Sequence, residues 1–290
     1  MTKRDAFSQC HPLVNFLFYL AAIGFAVVIQ HPAYIALSCL AAMAYYLLLV
    51  PGKAWKQVLG MVPVFIFVSI INPLFNHQGE QILFYIFGNP YTFEALCYGM
   101  ATAGILVAML LWFCSYSLVL TSDKFICLFG SLIPALSLLL TMVLRLIPGL
   151  VGKAKAIVGA RNAIGKGISP NAGKGEKLRN GASILSSLTD WALESSIITA
   201  DSMRARGYGT AKRTQFLRYR MTFKDIILLV LTSLLAVAVL LFGGFDAAYT
   251  PAISFAPLTP ALAAYGILLL LPVLLHFKEA VLWHILRSKI

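Results

Sequence analysis

The chain has 290 residues, of which 60 % are hydrophobic and only 12 % charged, and its formal net charge is +12. A soluble domain carries roughly 25 % charged residues, so this composition excludes an ordinary soluble protein. With a mean hydropathy of +0.84, it points to an integral membrane protein.

The apolar runs at 13–29, 33–50, 58–75, 95–120, 225–242 and 261–277 are each about long enough for a helix to cross ~30 Å of hydrocarbon. They are too long and too uniformly apolar for outer-membrane barrel strands, which alternate in stretches of ~10 residues. The first run continues toward a second without a small-residue cleavage site, so it reads as a membrane helix rather than a signal peptide. The basic residues alternate between loops. Lys3 and Arg4 precede the first run, Lys53 and Lys56 follow the second, Lys124 follows the fourth, and Lys278, Arg287 and Lys289 follow the last. The loops at 30–32, 76–92 and 243–260 carry no Lys or Arg. The positive-inside rule then places both termini on the cytoplasmic side of the membrane that the chain crosses several times.

One apolar segment breaks the alternation. Residues 125–150, FICLFGSLIPALSLLLTMVLRLIPGL, lie between two stretches expected on the same side. Gly130, Pro134 and Pro148 favour a broken or bent path that enters and returns or follows the interface. The fold class expected is an all-α integral membrane protein with about six transmembrane helices, this irregular apolar segment and a cytoplasmic helical domain. The division expected is 1–124, 125–224 and 225–290.

Residues 145–224 hold 15 of the 23 Lys and Arg but only Glu176, Asp190, Glu194 and Asp201 as acids, a local excess of eleven positive charges. Three readings fit such a segment: a loop attracted to anionic lipid at ~1 kcal/mol per basic residue, a nucleic-acid site, or a docking surface for a cytoplasmic protein. No nucleic-acid-binding motif accompanies it. The stretch 150–163 reads as a short helix, GKGISPNAGKG at 165–175 as a linker, and 178–206 as one long helix. On a helical wheel Leu188, Trp191 and Ile198 fall within about 40° of Ile184, and Asp190, Glu194 and Asp201 share a second face. Arg204 and Arg206 at the helix end suit the macrodipole, and Gly207 or Gly209 can take the left-handed conformation that ends a helix. An arginine presented at such a tip offers a planar fork to a carboxylate or carbonyl cluster.

Enzyme and cofactor motifs are not evident. Between Gly167 and Gly173 there are five residues where a phosphate loop has four, and Gly175 stands in the Ser/Thr position. His11, His31, His77, His276 and His284 form no close pair, and His11, His31 and His77, near membrane edges, read as interfacial polar residues rather than metal ligands. Cys10, Cys39, Cys97, Cys114 and Cys127 read as free thiols packed as small hydrophobes. Acids are nearly absent from the span interiors, which argues against an ion-driven carrier acting alone. The chain is expected to be no enzyme and to hold neither cofactor nor metal.

The segment ADSMRARGYG at 200–209, followed by Lys212 and Arg213, resembles the second coupling motif of the transmembrane T component of energy-coupling factor (ECF) vitamin and metal importers. The family's Ala-Arg-Gly is matched by Ala205, Arg206 and Gly207, with Arg204 beside them. Its similar upstream motif is matched by Ala160, Arg161 and Asn162, where Asn replaces the usual Gly but tolerates the same left-handed backbone. HPLVNFLFYL, TSDKF and LRLIPGL also resemble family stretches, in the same order along the chain. The resemblance implies a scaffold whose coupling helices seat in grooves of two ABC-type ATPase subunits and pass their motion to a substrate-binding membrane subunit, the S component. ATP hydrolysis would occur in the partners, and Arg206 and then Arg161 would anchor the coupling helices. Two other readings remain open: an ordinary ABC permease with its own substrate pathway, and a membrane protein whose basic loop only binds anionic lipid.

Overall fold

The computed structural model describes residues 5–52, 54–76, 79–86, 89–130, 134–165, 173–210, 219–245, 247–249, 253–257 and 259–287. Lys3, Arg4, Lys53, His77, residues 166–172 of the expected linker, Lys212, Arg213 and Lys289 lie outside them, as do the side chains of Trp283, His284 and Arg287.

The chain folds as α1 (Ala6–Gln9), α2 (Pro12–Val28), α3 (Pro32–Leu49), α4 (Ala54–Phe75), β1 (Ile82–Ile86), β2 (Asn89–Thr92), α5 (Phe93–Val119), α6 (Ser122–Gly130), α7 (Pro134–Ala163), α8 (Lys174–Ala205), α9 (Phe223–Leu241), β3 (Ala247–Ala248), β4 (Ser254–Phe255) and α10 (Ala261–Arg287). It is an all-α membrane protein. Among the described residues six helices are long and apolar enough to cross a bilayer: α3, α4, α5, α7, α9 and α10. At 17 residues α2 rises ~26 Å, a little short of ~30 Å of hydrocarbon. The only strands among the described residues are two antiparallel pairs. β1 pairs with β2, from Ile82 opposite Thr92 to Ile86 opposite Asn89, and β3 with β4, Ala247 opposite Phe255.

The segment 125–150 differs from expectation. It is helical on both sides of 131–133, and α7 runs for 30 residues through Pro148, so the expected short helix at 150–163 is its continuation. A proline removes one backbone donor, and long apolar helices tolerate that when the rest of the ladder holds.

The described chain divides into two units, residues 1–125 with 219–290, and residues 126–218. In the first unit, α3, α4 and α5 pack on one another, and α2, α9 and α10 complete the bundle. Lipid is as apolar as Leu, so close packing and internal hydrogen bonds must hold such a bundle. Both devices are present. Phe7, Phe18, Tyr19, Tyr45 and Trp112 are buried and meet edge to face, with Phe7–Phe18 centroids at 5.1 Å and Phe18–Trp112 at 5.7 Å. Such pairs contribute about 0.5–1.5 kcal/mol each beyond area burial. The Trp112 indole donates to Ser38 Oγ at 3.1 Å. At Gly99 a Cβ would stand 2.7 Å from the Ser69 carbonyl oxygen, so α4 and α5 approach as closely as they do only because this residue has no side chain.

Polar groups tie α1 to the bundle. Asp5 accepts from the Tyr45 hydroxyl at 3.1 Å and pairs with His276 Nδ1 at 2.7 Å. Lys124, buried, donates to the carbonyls of Ser8 and Val119. Its ammonium also meets Asn15, whose amide in the satisfied orientation donates to the Phe7 carbonyl at 2.9 Å. Burial pushes the Lys124 pKa below the usual lysine range.

The two His-Pro dipeptides have a structural use that residue type alone did not disclose. His11 and His31 are N-caps of α2 and α3, each Nδ1 accepting from the backbone N–H two residues on, at 3.2 and 3.3 Å. Pro12 and Pro32 occupy the first helical position, where no donor is needed. His31 Nε2 then donates to the Ala256 carbonyl at 3.2 Å, and Tyr249 donates to the Gln30 carbonyl at 2.8 Å. Thr222 and Asp225 form a capping box on α9.

Candidate functional site

The site residues singled out from the sequence all belong to the second unit and sit on two helix ends. Helix α8 covers 32 residues, close to the expected 178–206. Ser183, Ile184, Leu188, Trp191 and Ser195 are half-buried, whereas Asp190, Glu194, Ile198 and Asp201 are exposed. Ile198, expected on the apolar stripe, is thus outside the covered part of it. The covered face meets α7. A Cβ on Gly149 would lie 3.8 Å from the Trp191 ring, and the Lys153 ammonium stands 5.8 Å from that ring's centroid. Farther along, Arg161 meets Ser183 and Asn180. As positions rise on α7 they fall on α8, so the two helices form an antiparallel hairpin.

Arg161 lies in the last turn of α7. Its guanidinium donates to Ser183 Oγ and, at 3.5 Å, to Asn180 Oδ1, while its buried Nε has no partner. The side chain lies against α8. Ala160 and Asn162 beside it are exposed. Asn162 is still helical, and the left-handed residue that follows α7 is Gly165, at φ 73°. The left-handed tolerance of Asn is therefore not used, because the helix continues past it.

The other end is built differently. Arg206 caps α8 at φ −84°, ψ 6°, and Gly207 follows at φ 78°. The Tyr208 N–H donates to the Met203 carbonyl and the Gly207 N–H to the Arg204 carbonyl, both at 3.0 Å. This pair of bonds is a Schellman motif, which satisfies carbonyls that a helix end otherwise leaves open. Thr210 Oγ1 donates to the Gly207 carbonyl at 2.7 Å and closes the turn. A side chain at Gly207 would be strained whatever space surrounds it.

Arg204, Ala205 and Arg206 are exposed on this fixed end. Among the described residues neither guanidinium has a hydrogen-bond or ion-pair partner. The two arginines are not brought together. Along α8, Ser183, which holds Arg161, and Arg206 are ~34 Å apart at 1.5 Å per residue. The polar partners Asn180 and Ser183 were not foreseen, since nothing in a single sequence marks which arginine folds back on a neighbouring helix.

What the arrangement can do is bind by charge and shape. Among the described residues, no three His, Cys, Asp or Glu side chains converge as metal ligands would. A free guanidinium on a rigid helix end can form a bidentate, charge-assisted contact with little loss of its own freedom.

A family model described as CbiQ, cobalt transport protein, matches residues 5–216. No curated protein matches the chain.

Proposed function

The chain belongs to the CbiQ cobalt transport protein family, and from that premise we propose that it is the coupling scaffold, the T component, of an ECF-type ABC importer. Two cytoplasmic ATPases engage its helix ends. Their ATP-driven closure moves the α7–α8 hairpin, and the membrane part passes this motion to a separate substrate-binding membrane subunit carrying a metal ion or a vitamin. The placement of basic residues supports a plasma-membrane protein with both termini in the cytoplasm. The chain itself performs no catalysis, because hydrolysis resides in its partners.

The observation that carries this reading is the Arg206 side chain, exposed and unengaged on a helix end that is itself held by a Schellman motif. Arg206 is the first anchor, with Arg204, Ala205 and Gly207 forming the surface that meets the groove. Arg161, with Ala160 and Asn162, is the second anchor. Its guanidinium must exchange Ser183 and Asn180 for groups of the partner, so its net contribution is smaller.

The test is ATP-dependent uptake in cells, assayed with Co²⁺ and with vitamins that the co-expressed membrane subunit binds. Arg206→Glu abolishes uptake while the protein still inserts, and Arg206→Lys lowers it clearly because an ammonium cannot reproduce the fork. Normal uptake by Arg206→Glu contradicts the reading. Full activity of both Arg161→Lys and Arg206→Lys favours a loop that only binds anionic lipid.

A further inference from the structure

A cavity of about 820 Å³ opens in the first unit between α1, the start of α9 and the second half of α10. Its wall is divided by chemistry. Arg220, Lys224 and Lys278 line it together with Ile227, Leu228 and Leu275. The three cations are exposed, and none forms an ion pair among the described residues. Two carboxylates also line the cavity, Asp225 and Glu279. Asp225 is already committed, since its oxygens accept from the backbone N–H groups of Thr222 and His11, at 2.9 and 3.1 Å, and from the Thr222 hydroxyl. Those donors hold Asp225 as a carboxylate with its oxygens turned to the backbone, so with Glu279, half-buried, the wall sets three cations against two acids, and only the cations are free to meet a ligand. In the aliphatic part of the wall Ile227 is itself exposed on α9, and Leu274, the residue before Leu275 on α10, is exposed too.

We propose that this cavity binds one anionic phospholipid, its phosphodiester held by Arg220, Lys224 and Lys278 and the start of its acyl chains laid along Ile227, Leu228 and Leu275. A free phosphate would use the cations but leave the aliphatic wall uncovered. A zwitterionic lipid would use the wall but bring its own cation to the basic rim. Only a lipid with net negative charge matches both halves. A lipid in this position bridges α9 and α10 where α1 is tied to the bundle, and would tighten that corner. This inference is independent of the coupling role of α8.

The test uses the full chain, delipidated and placed in phosphatidylcholine nanodiscs doped with photoreactive phosphatidylglycerol or, in parallel, photoreactive phosphatidylcholine. Labelled peptides are then mapped. The expected result is preferential phosphatidylglycerol labelling around 223–228 and 274–278. Lys278→Gln lowers that preference about fivefold, and the combined Arg220→Gln, Lys224→Gln and Lys278→Gln variant abolishes it. Lys155→Gln, Lys174→Gln and Arg179→Gln together remove the same charge from α7 and α8 and leave labelling unchanged. Inorganic phosphate at matched ionic strength does not displace the lipid. Equal labelling by both lipids, retention in the combined variant, or displacement by phosphate alone would overturn the proposal. The single Lys278→Gln variant alters one exposed, unpaired side chain, so it keeps the test open if the combined variant misfolds.

Discussion

The two units of this protein differ in whether they hold a core. The first has one, although α4 and α9 also leave apolar side chains such as Phe67 and Leu241 exposed. Trp112, Tyr19, Tyr45 and Phe18 are almost fully buried, and hydrogen bonds of Asp5 and Ser8 tie α1 to α3, α6 and α10. In the second unit no described residue of α7 or α8 is fully buried. Leu136, Leu139 and Ile147 on α7 and Leu178, Leu185, Leu193 and Ile197 on α8 are all exposed. A hairpin that leaves so much apolar surface uncovered requires lipid or protein to complete it. The first unit is built as a fixed frame, and the second as a part whose stability depends on what it touches. That contrast fits the coupling role proposed above.

The contrast can be broken by substitution, starting in the frame. Trp112→Ala removes the centre of the aromatic cluster and the hydrogen bond to Ser38. It should cost about 3 kcal/mol or more, measured as a large fall in the denaturant midpoint of the detergent-solubilised protein. An effect no larger than that of an exposed substitution would show that the cluster does not hold the bundle. Trp191→Ala, on the hairpin, removes the ring that faces α7 near Gly149 and its cation–π contact with Lys153. The ring is only half-buried, so the expected cost is about 2 kcal/mol. It should appear as faster hydrogen exchange in α7 and α8, with the frame's exchange unchanged. Equal loosening of both units would contradict their separation.

The smallest effect is expected at the tip. Gly207→Ala forces a side chain into the left-handed region at φ 78°, at a cost of about 1–2 kcal/mol. Helix α8 should fray by its last turn, seen as exchange of the Tyr208 and Gly207 amides that now bond to Met203 and Arg204. Global stability should not change. Gly207→Asn should lie between the two, since Asn enters the left-handed region more readily.

Some of these features are written in the local sequence and others are not. The membrane helices were legible because ~20 consecutive apolar residues have few other interpretations. The end of α8 was legible because Gly207 and Gly209 follow two arginines in a helical pattern. The course of α7 was not, because Pro148 signals a break that a long helix absorbed. The left-handed backbone expected of Asn162 falls at Gly165 instead, because α7 runs on to Ala163. His11 and His31 looked like interfacial polar groups and act as caps through Nδ1. The fold-back of Arg161 onto Ser183 depends on a residue 22 positions along the chain, a contact that local pattern does not encode.

The central claim is that the exposed end of α8 holds the ATPases. Its most direct measurement is affinity purification of the chain from native membranes in mild detergent, with and without Arg206→Glu, identifying every co-purifying protein. The account predicts two ATPase subunits and a small membrane protein with the natural chain, and loss of the ATPases with retention of the small membrane protein in the variant. Recovery of the natural chain without ATPases even after crosslinking, or full retention of ATPases by Arg206→Glu, would contradict it.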